Sequence, residues 1–453
     1  MLRLNTQGKG RRLSFLLLGF LWFWGAGIFS GTPALGDDKN ITILTREEAL
    51  KIALEKNKDV HKAREYKNMV EGRYVEERAA ALPQLTLSGG VSRDRDDSLK
   101  NLFRGLFPPE KQTNNVEVGV TQALYTFGRV GAAIRAAKIG MATAEDQLRI
   151  FQQAALRDVS TAFDDVLLAK EVHILAVQNL DQKVRHLDEA RRKHAAGTAT
   201  DYDILAAEVA VENAQPEVIR RENAIQISRE KLRFLLGMEG QEVDVTGNLE
   251  GPASPYPTYE KGVEVAWKSR PDLSDLQKRM NMQGELVKIY DAGNMPRVDL
   301  KGSYGWRDIN YIDVARGDGQ VWSAGIFLTF PFFDGMRTQG KTAQAKSDLR
   351  SLKIDEAKLK DSIAVQVRDA VYYCREAEEI VKALSGTVRR AERLLQMAEK
   401  GFEYGVKTKL EVDDAQLSFI DAKGNLAKAR RDYSVARVTL DWIMGTINEK
   451  TDR

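Results

Sequence analysis

The segment "GMRTQGKT", Gly335–Thr342, has the spacing of a phosphate-binding loop. In such loops glycine amides cradle phosphates, a lysine neutralises them and a hydroxyl holds a metal ion. The repeat-related "GRVGAAIR", Gly128–Arg135, carries no lysine or threonine at those places, and no strands follow to build a parallel nucleotide-binding sheet. Nucleotide chemistry is therefore rejected. His61, His173, His186 and His194 form no i, i+4 metal pair, and the methionines form no thioether cluster. No nucleophile, base and oxyanion donors converge, so neither an enzyme nor a cofactor is expected. The single cysteine, Cys374, allows no internal disulfide and reads as a small core hydrophobe.

A second group of chemical residues lies in two turns. In "GVKTKLEVDDAQ", Gly405–Gln416, Glu411 and Asp414 are three apart and share a helical face. In "GTATDYDILAAE", Gly197–Glu208, Asp203 stands where Glu411 does, and Ala206 replaces Asp414. Gly197 and Gly405 permit the positive φ that a helix C-terminus requires. Turn chemistry and solvated charge explain these residues as well as a site does. The surrounding elements must decide.

Those elements occur twice. "ALEKNKDV" at Ala53 matches "AWKSRPDL" at Ala266, and Pro83 matches Pro296, at an offset of 213. "TQALYTFGR" matches "TFPFFDGMR", and the two turns match each other, at an offset of 208. The length change falls in the loops Asp94–Asn115 and Arg307–Gln320, as surface hairpins tolerate. The first copy, 41–250, reads as helix, β-hairpin 83–124, long helix 128–196 and helix 201–236. The proline-rich linker 251–258 leads to the second copy, 259–446, with hairpin 296–332, long helix 336–404 and helix 408–444. Each long helix would reach about 100 Å, with two shorter helices stacked end to end beside it. Heptad spacing at Leu384, Val388, Ala391, Leu395, Ala398 and Phe402, and at Val177, Leu180, Val184 and Leu187, predicts coiled packing near the turns. Small residues in Gly131–Ala144 predict close backbone approach, and Pro216 predicts a kink.

Four strands are expected over about Leu85–Arg93, Val116–Leu124, Val298–Trp306 and Val321–Phe330. Leu87, Val118, Tyr304, Trp322 and Ile326 share one face, and Ser88, Glu117, Lys301 and Ser323 the other. Apolar-out and polar-in over nine or so residues is the pattern of an outer-membrane barrel. Tyr125, Phe127, Trp306, Trp322, Phe332 and Phe333 would meet the membrane interface. Arg3, Lys9, Arg11 and Arg12 precede the apolar run Leu13–Phe29 and small residues at Ala34–Gly36, which reads as a signal peptide over 1–36. An uncleaved membrane anchor is the alternative. Removal leaves 64 basic against 65 acidic residues, so the charge balance gives no reason to expect nucleic acid. No cysteine follows the signal, so no lipid anchor is expected there. Four strands cannot close a barrel, which begins at about eight, so the wall must be shared between copies. Competing readings are an α+β protein with the sheet laid on its helices, and a periplasmic coiled-coil structural or adaptor protein without a pore.

The duplicated plan resembles the TolC family of outer-membrane efflux proteins over about residues 41–446. The resemblance rests on the "LPQL" and "MPRV" strand starts, the "YTFG" and "FFDG" strand ends, and the two turns. It implies a mainly α fold with a membrane β-barrel: long-helix hairpins forming a helical tunnel, and a homotrimer sharing twelve strands in outer-membrane lipid. It implies export of drugs, metals or proteins, without catalysis, from an inner-membrane transporter through a periplasmic adaptor. By the resemblance, Gly197, Thr198, Thr200, Gly405 and Thr408 contact the adaptor. Glu411, Asp414 and Asp203 then belong to a carboxylate ring at the periplasmic entrance, and Lys407 ties neighbouring tips shut. Glu411 stands where aspartate is more usual.

Overall fold

The computed structural model describes residues 41–97, 110–249, 255–311 and 315–448. The expected signal peptide and residues 251–254 of the linker lie outside the described residues. In chain order the elements are β1 (Thr42–Leu44), α1 (Arg46–Lys56), α2 (Lys58–Ala79), β2 (Gln84–Arg95), β3 (Glu110–Tyr125), α3 (Arg129–Ala195) and α4 (Asp201–Leu236). Next come β4 (Val243–Val245), α5 (Tyr259–Ser269), α6 (Pro271–Asp291), β5 (Arg297–Tyr311), β6 (Ala315–Thr329), α7 (Arg337–Glu403) and α8 (Lys409–Ile443).

Each long helix has 67 residues, about 100 Å of α-helix. Along its first half α3 packs between α2 and α6, and along its second half between α4 and α8. The small residues of its first turns do what their size allows. Ala132, Ala136 and Ala144 are buried, and a Cβ on Gly140 would touch Val70 and Met282 on the two flanking helices. Near the turns, Leu187, Ala190, Ala207 and Val211 form one apolar cluster within α3–α4. Leu395, Ala398, Val412 and Ala415 form another within α7–α8. Val184, which the heptad groups with Leu187, is instead 40% exposed. Helix α4 runs unbroken through Pro216.

The single first helix expected in each copy is two helices, and the breaks fall at repeat-related residues. Asn57 separates α1 from α2, and Arg270 separates α5 from α6. Each break receives the end of a stacked helix. Asn57 Nδ2 donates to the Leu235 carbonyl at 2.7 Å, near the C-terminus of α4. The Arg270 guanidinium donates to the Ile443 carbonyl at 3.2 Å, near the C-terminus of α8. Gly237 and Gly445 end those helices with φ of 68° and 71°. A Cβ on Gly237 would lie 2.3 Å from the Lys56 carbonyl oxygen, so the joint admits glycine alone. Both breaks thus satisfy helix-terminal carbonyls that would otherwise lack partners. The main core sits here, with Leu156, Val159, Phe163, Val166, Leu232 and Leu236 packed under the two-stranded parallel sheet β1–β4. That small sheet, pairing Thr42 with Val243, was not expected from the sequence.

The four longer strands form one antiparallel sheet in the order β2-β3-β5-β6, with 12 to 16 residues per strand. The expected strand limits are therefore too short. Pairing continues through polar residues such as Gln112 with Asn310, because backbone hydrogen bonds do not depend on side-chain hydropathy.

The joint generates a stability prediction. Gly237→Ala meets both a left-handed backbone and a carbonyl collision, whereas Gly240→Ala, at φ 78°, meets nothing within 4 Å. Thermal unfolding should show Gly240→Ala costing about 1 kcal/mol and Gly237→Ala clearly more. Equal losses would remove the joint from the account.

Candidate functional site

Register puts the apolar face of all four strands together. Rising from the helices, Val298 faces Leu328, Leu300 faces Ile326, and Leu85, Val120, Gly302 and Ala324 share the next row. Above them come Leu87, Val118, Tyr304 and Trp322, then Gly89, Val116, Trp306 and Gln320. The next row turns polar, with Asn114, Asp308 and Asp318 beside Val91. From Val298 to Trp306 the band measures about 27 Å along the strand. Strands tilted by about 40° make that roughly 20 Å of height, close to an outer-membrane apolar belt. Leu87 and Trp322 are 76% and 74% exposed. The sheet therefore turns away from the helices, against the α+β alternative.

The opposite face carries Ser88, Glu117, Lys301, Ser303 and Ser323, with Val321 and Phe327 among them. Ser303 and Ser323 share a 3.0 Å hydroxyl contact, and the Lys301 ammonium lies 5.3 Å from the Phe327 ring centroid. Trp306 closes the apolar band at its outer end, with Trp322 one row nearer the helices. At the helix end stand Tyr125 and Phe127, rings 4.7 Å apart, and the exposed Phe332 and Phe333. Two consecutive left-handed residues turn each strand into its helix: Phe127–Gly128 in one copy, Gly335–Met336 in the other.

That second turn also disposes of the phosphate-loop pattern. Helix α7 begins at Arg337, so Gly340, Lys341 and Thr342 already lie within it and no loop remains to wrap a phosphate. Asp334 Oδ2 accepts the Thr338 amide at 3.0 Å and its hydroxyl at 2.7 Å. A carboxylate thus occupies the position a phosphate would need, and the preceding strand is antiparallel.

At the far end, both turns follow one plan. Gly197 and Gly405 are left-handed at φ 76° and 73°. Thr198 and Val406 amides return to the carbonyls of Lys193 and Gly401. Thr200 and Thr408 then start α4 and α8 through capping boxes whose acidic members are Asp203 and Glu411. Lys407 adds an ion pair to Glu411 at 2.5 Å, and a glycine at 401 leaves room for the Lys407 side chain over the end of α7. The Lys407 ammonium and the Thr408 amide hold the Glu411 carboxyl down to about 2. Asp203 is lowered too, chiefly by the Thr200 amide. The Glu411 cap is therefore intact above the ordinary glutamate range and is lost only as pH falls toward about 2. Asp414 lies exposed on α8 outside this network of bonds. Both tips lie at one end, since Asp203, Lys409 and Asp413 line one cleft of about 550 Å³.

Contacts joining the two hairpins at this end were not expected. Lys183 of α3 pairs with Asp413 of α8 at 3.4 Å, and the Lys193 ammonium lies 4.8 Å from the Phe402 ring centroid of α7. The repeat held a signal for the first: Lys183 and Asp413 correspond to Ala391 and Leu205, so the copies diverge just where they touch.

Comparison with known proteins decides the family. The outer membrane efflux protein family matches residues 49–238 and 263–446. The chain belongs to that family. It is 23% identical over 377 residues to outer membrane protein TolC of Vibrio cholerae, covering 82% of this chain and 84% of that protein. The alkaline protease secretion protein AprF of Pseudomonas aeruginosa is 24% identical over 382 residues, covering 82% and 78%. In fold the chain resembles the Campylobacter jejuni CmeC outer membrane channel, with a TM-score of 0.77 at 14% identity, covering 93% and 92%. This outer membrane efflux protein is thus a transport protein of the outer membrane, and its sheet is the part that meets lipid.

Neighbouring residues on opposite faces test that placement. Leu87→Arg, inside the band one row outward of its middle, should cost about 2 kcal/mol and deplete assembled protein in outer-membrane fractions, while Ser88→Arg should not. Equal recovery of both variants would contradict the facing.

Proposed function

We propose that the chain is one wall unit of a trimeric export duct, taking cargo from an inner-membrane transporter through a periplasmic adaptor. The observation that carries this reading is the apolar-banded sheet, which ends in two strand edges, β2 and β6, that pair with no other strand among the described residues. Pairing β6 of one copy with β2 of the next closes the wall, and three copies give twelve strands.

The helices support the same head-to-tail contact. Within the chain, α8 docks beside α3: Trp442 lies under the Arg157 guanidinium, 4.2 Å from the ring centroid, and Arg431 pairs with Asp165 at 2.6 Å. The equivalent groove along α7 and α8, lined by Gln366, Asp369, Ala370 and Tyr373, is open and measures about 750 Å³. Phe234 of α4 occupies the repeat position of Trp442, and Val365 that of Arg157. Both are largely exposed. Helix α4 of a neighbouring copy fills the groove, with Phe234 against Val365.

The tips carry the remaining roles. Gly197, Thr198, Thr200, Gly405 and Thr408 form the surface an adaptor would meet. Glu411, Asp414 and Asp203, repeated around the axis, give the entrance a negative ring that favours cations. Lys407 neutralises Glu411 in each copy.

Two measurements test this. Phe234→Cys with Val365→Cys should cross-link copies into species up to trimer on oxidation, with Phe234→Cys alone as control. Monomer throughout would contradict the assembly. In planar bilayers, Glu411→Ala with Asp414→Ala should reduce cation preference, and Lys407→Ala should raise both cation preference and resting conductance. Unchanged currents would remove these residues from the entrance.

A further inference from the structure

Each hairpin is held near its tip by an apolar cluster of its own, Leu187 with Val211 in one and Leu395 with Val412 in the other. Among the described residues no buried apolar cluster joins the two hairpins there. The seam between them is polar. His186 of α3 lies in it, its side chain 18% exposed, with Nε2 buried and without a hydrogen-bond partner. Asp413 of α8 approaches Nε2 at 3.9 Å, and Glu189 approaches Nδ1 at 3.9 Å. Both distances are too long for hydrogen bonds, so the imidazole is packed between carboxylates without bonding them. Lys183 takes Asp413 at 3.4 Å, and Lys193 takes Glu189 at 2.7 Å.

Other charged groups face the same ring. Lys409 of α8 lines the cleft on one side with Asp203 of α4. Arg185, Asp188 and Arg192 of α3 line the other side with Glu399 of α7. The nearby acids therefore already have basic partners or neighbours, and an added positive charge on His186 would meet burial and Lys409 first.

We propose that His186 makes the seam between the two hairpins a pH-sensitive clasp, docked while the imidazole is neutral and loosened when it takes a proton. The neutral ring fills the seam between α3 and α8. The charged ring draws water, and drawing water there separates helices that, among the described residues, share no buried apolar cluster at this level. Burial, reinforced by Lys409, holds the His186 imidazole below its ordinary value, against the opposing pull of Asp413 and Glu189. The sign follows. The undocked state binds the proton more readily, so docking is favoured most above the ordinary histidine value of about 6.5 and weakens as pH falls below it. At the equivalent positions of the other seam, between copies, stand Ala391, Leu394 and Leu205, which do not titrate. Acid would thus act on one seam and leave the other. The contrast with a seam between copies and the consequence, a wider periplasmic entrance, rest on the duct reading. The clasp lies within one chain.

The test uses spin labels at Arg185→Cys and Ser418→Cys, both exposed, one on each side of the seam. Cys374 is fully buried and its thiol is pushed up to about 12, so it does not compete for label. In the full-length protein, lowering the pH from about 7.5 to about 5.5 should raise the population at the longer separation about threefold or more. His186→Gln, neutral at every pH, should keep the short separation at both. A pH response that survives in His186→Gln, or no response in the parent, overturns the clasp. Size-exclusion mass of the same samples reports assembly separately. A monomer with an intact pH response would sink the trimer and spare the clasp.

Discussion

A strand edge in hydrocarbon exposes amide and carbonyl groups that nothing there can satisfy, at several kcal/mol each. The sheet β2-β3-β5-β6 faces this constraint squarely, because it carries a continuous apolar band and ends in two edges without a strand partner among the described residues. Everything else in the molecule is consistent with solving that problem by repetition. The two hairpins come from two sequence copies, β3 joins β5 where the copies meet, and the same kind of contact can continue from one chain to the next.

The helices inherit the same logic in a different chemistry. In water, helix ends can be solvated, yet here the C-termini of α4 and α8 are seated in breaks at Asn57 and Arg270. Each seat aligns a shorter helix with the one stacked beyond it, alongside one uninterrupted helix of 67 residues. Each long helix thus runs from the sheet to a tip. The seam within the chain near the tips is polar, whereas the corresponding residues Leu205 and Leu394 are apolar and exposed. On the proposed assembly, two seams of one ancestry would respond to different variables.

Much of this was legible in the residues. The long helices ended within a residue or two of their expected limits, because Gly197 and Gly405 mark the turns and Gly128 and Met336 mark the starts. Facing in the strands was legible from Leu87 and Ser88 onward, since alternation fixes it. Strand length was not, because above Trp306 the pairing runs through polar residues that alternation does not flag. The helix breaks are masked by periodicity that continues on both sides of Asn57, although Asn57 as a cap and Pro271 as a first helical residue mark them locally. Strands β1 and β4 have three residues each, too few to show a period. At the tips, Thr408 and Glu411 carry the spacing of a capping box, so one carboxylate serves the fold of its own turn whatever it does at the entrance.

The most direct test of a shared wall is amide hydrogen exchange of the purified protein in lipid nanodiscs. It should compare the amides of β2 and β6 that point away from β3 and β5 with those that point toward them. If copies complete each other's sheet, both sets exchange slowly and alike through the apolar band. Rapid exchange confined to the outward-pointing set would mean that the edges are bare, and the shared wall would not exist.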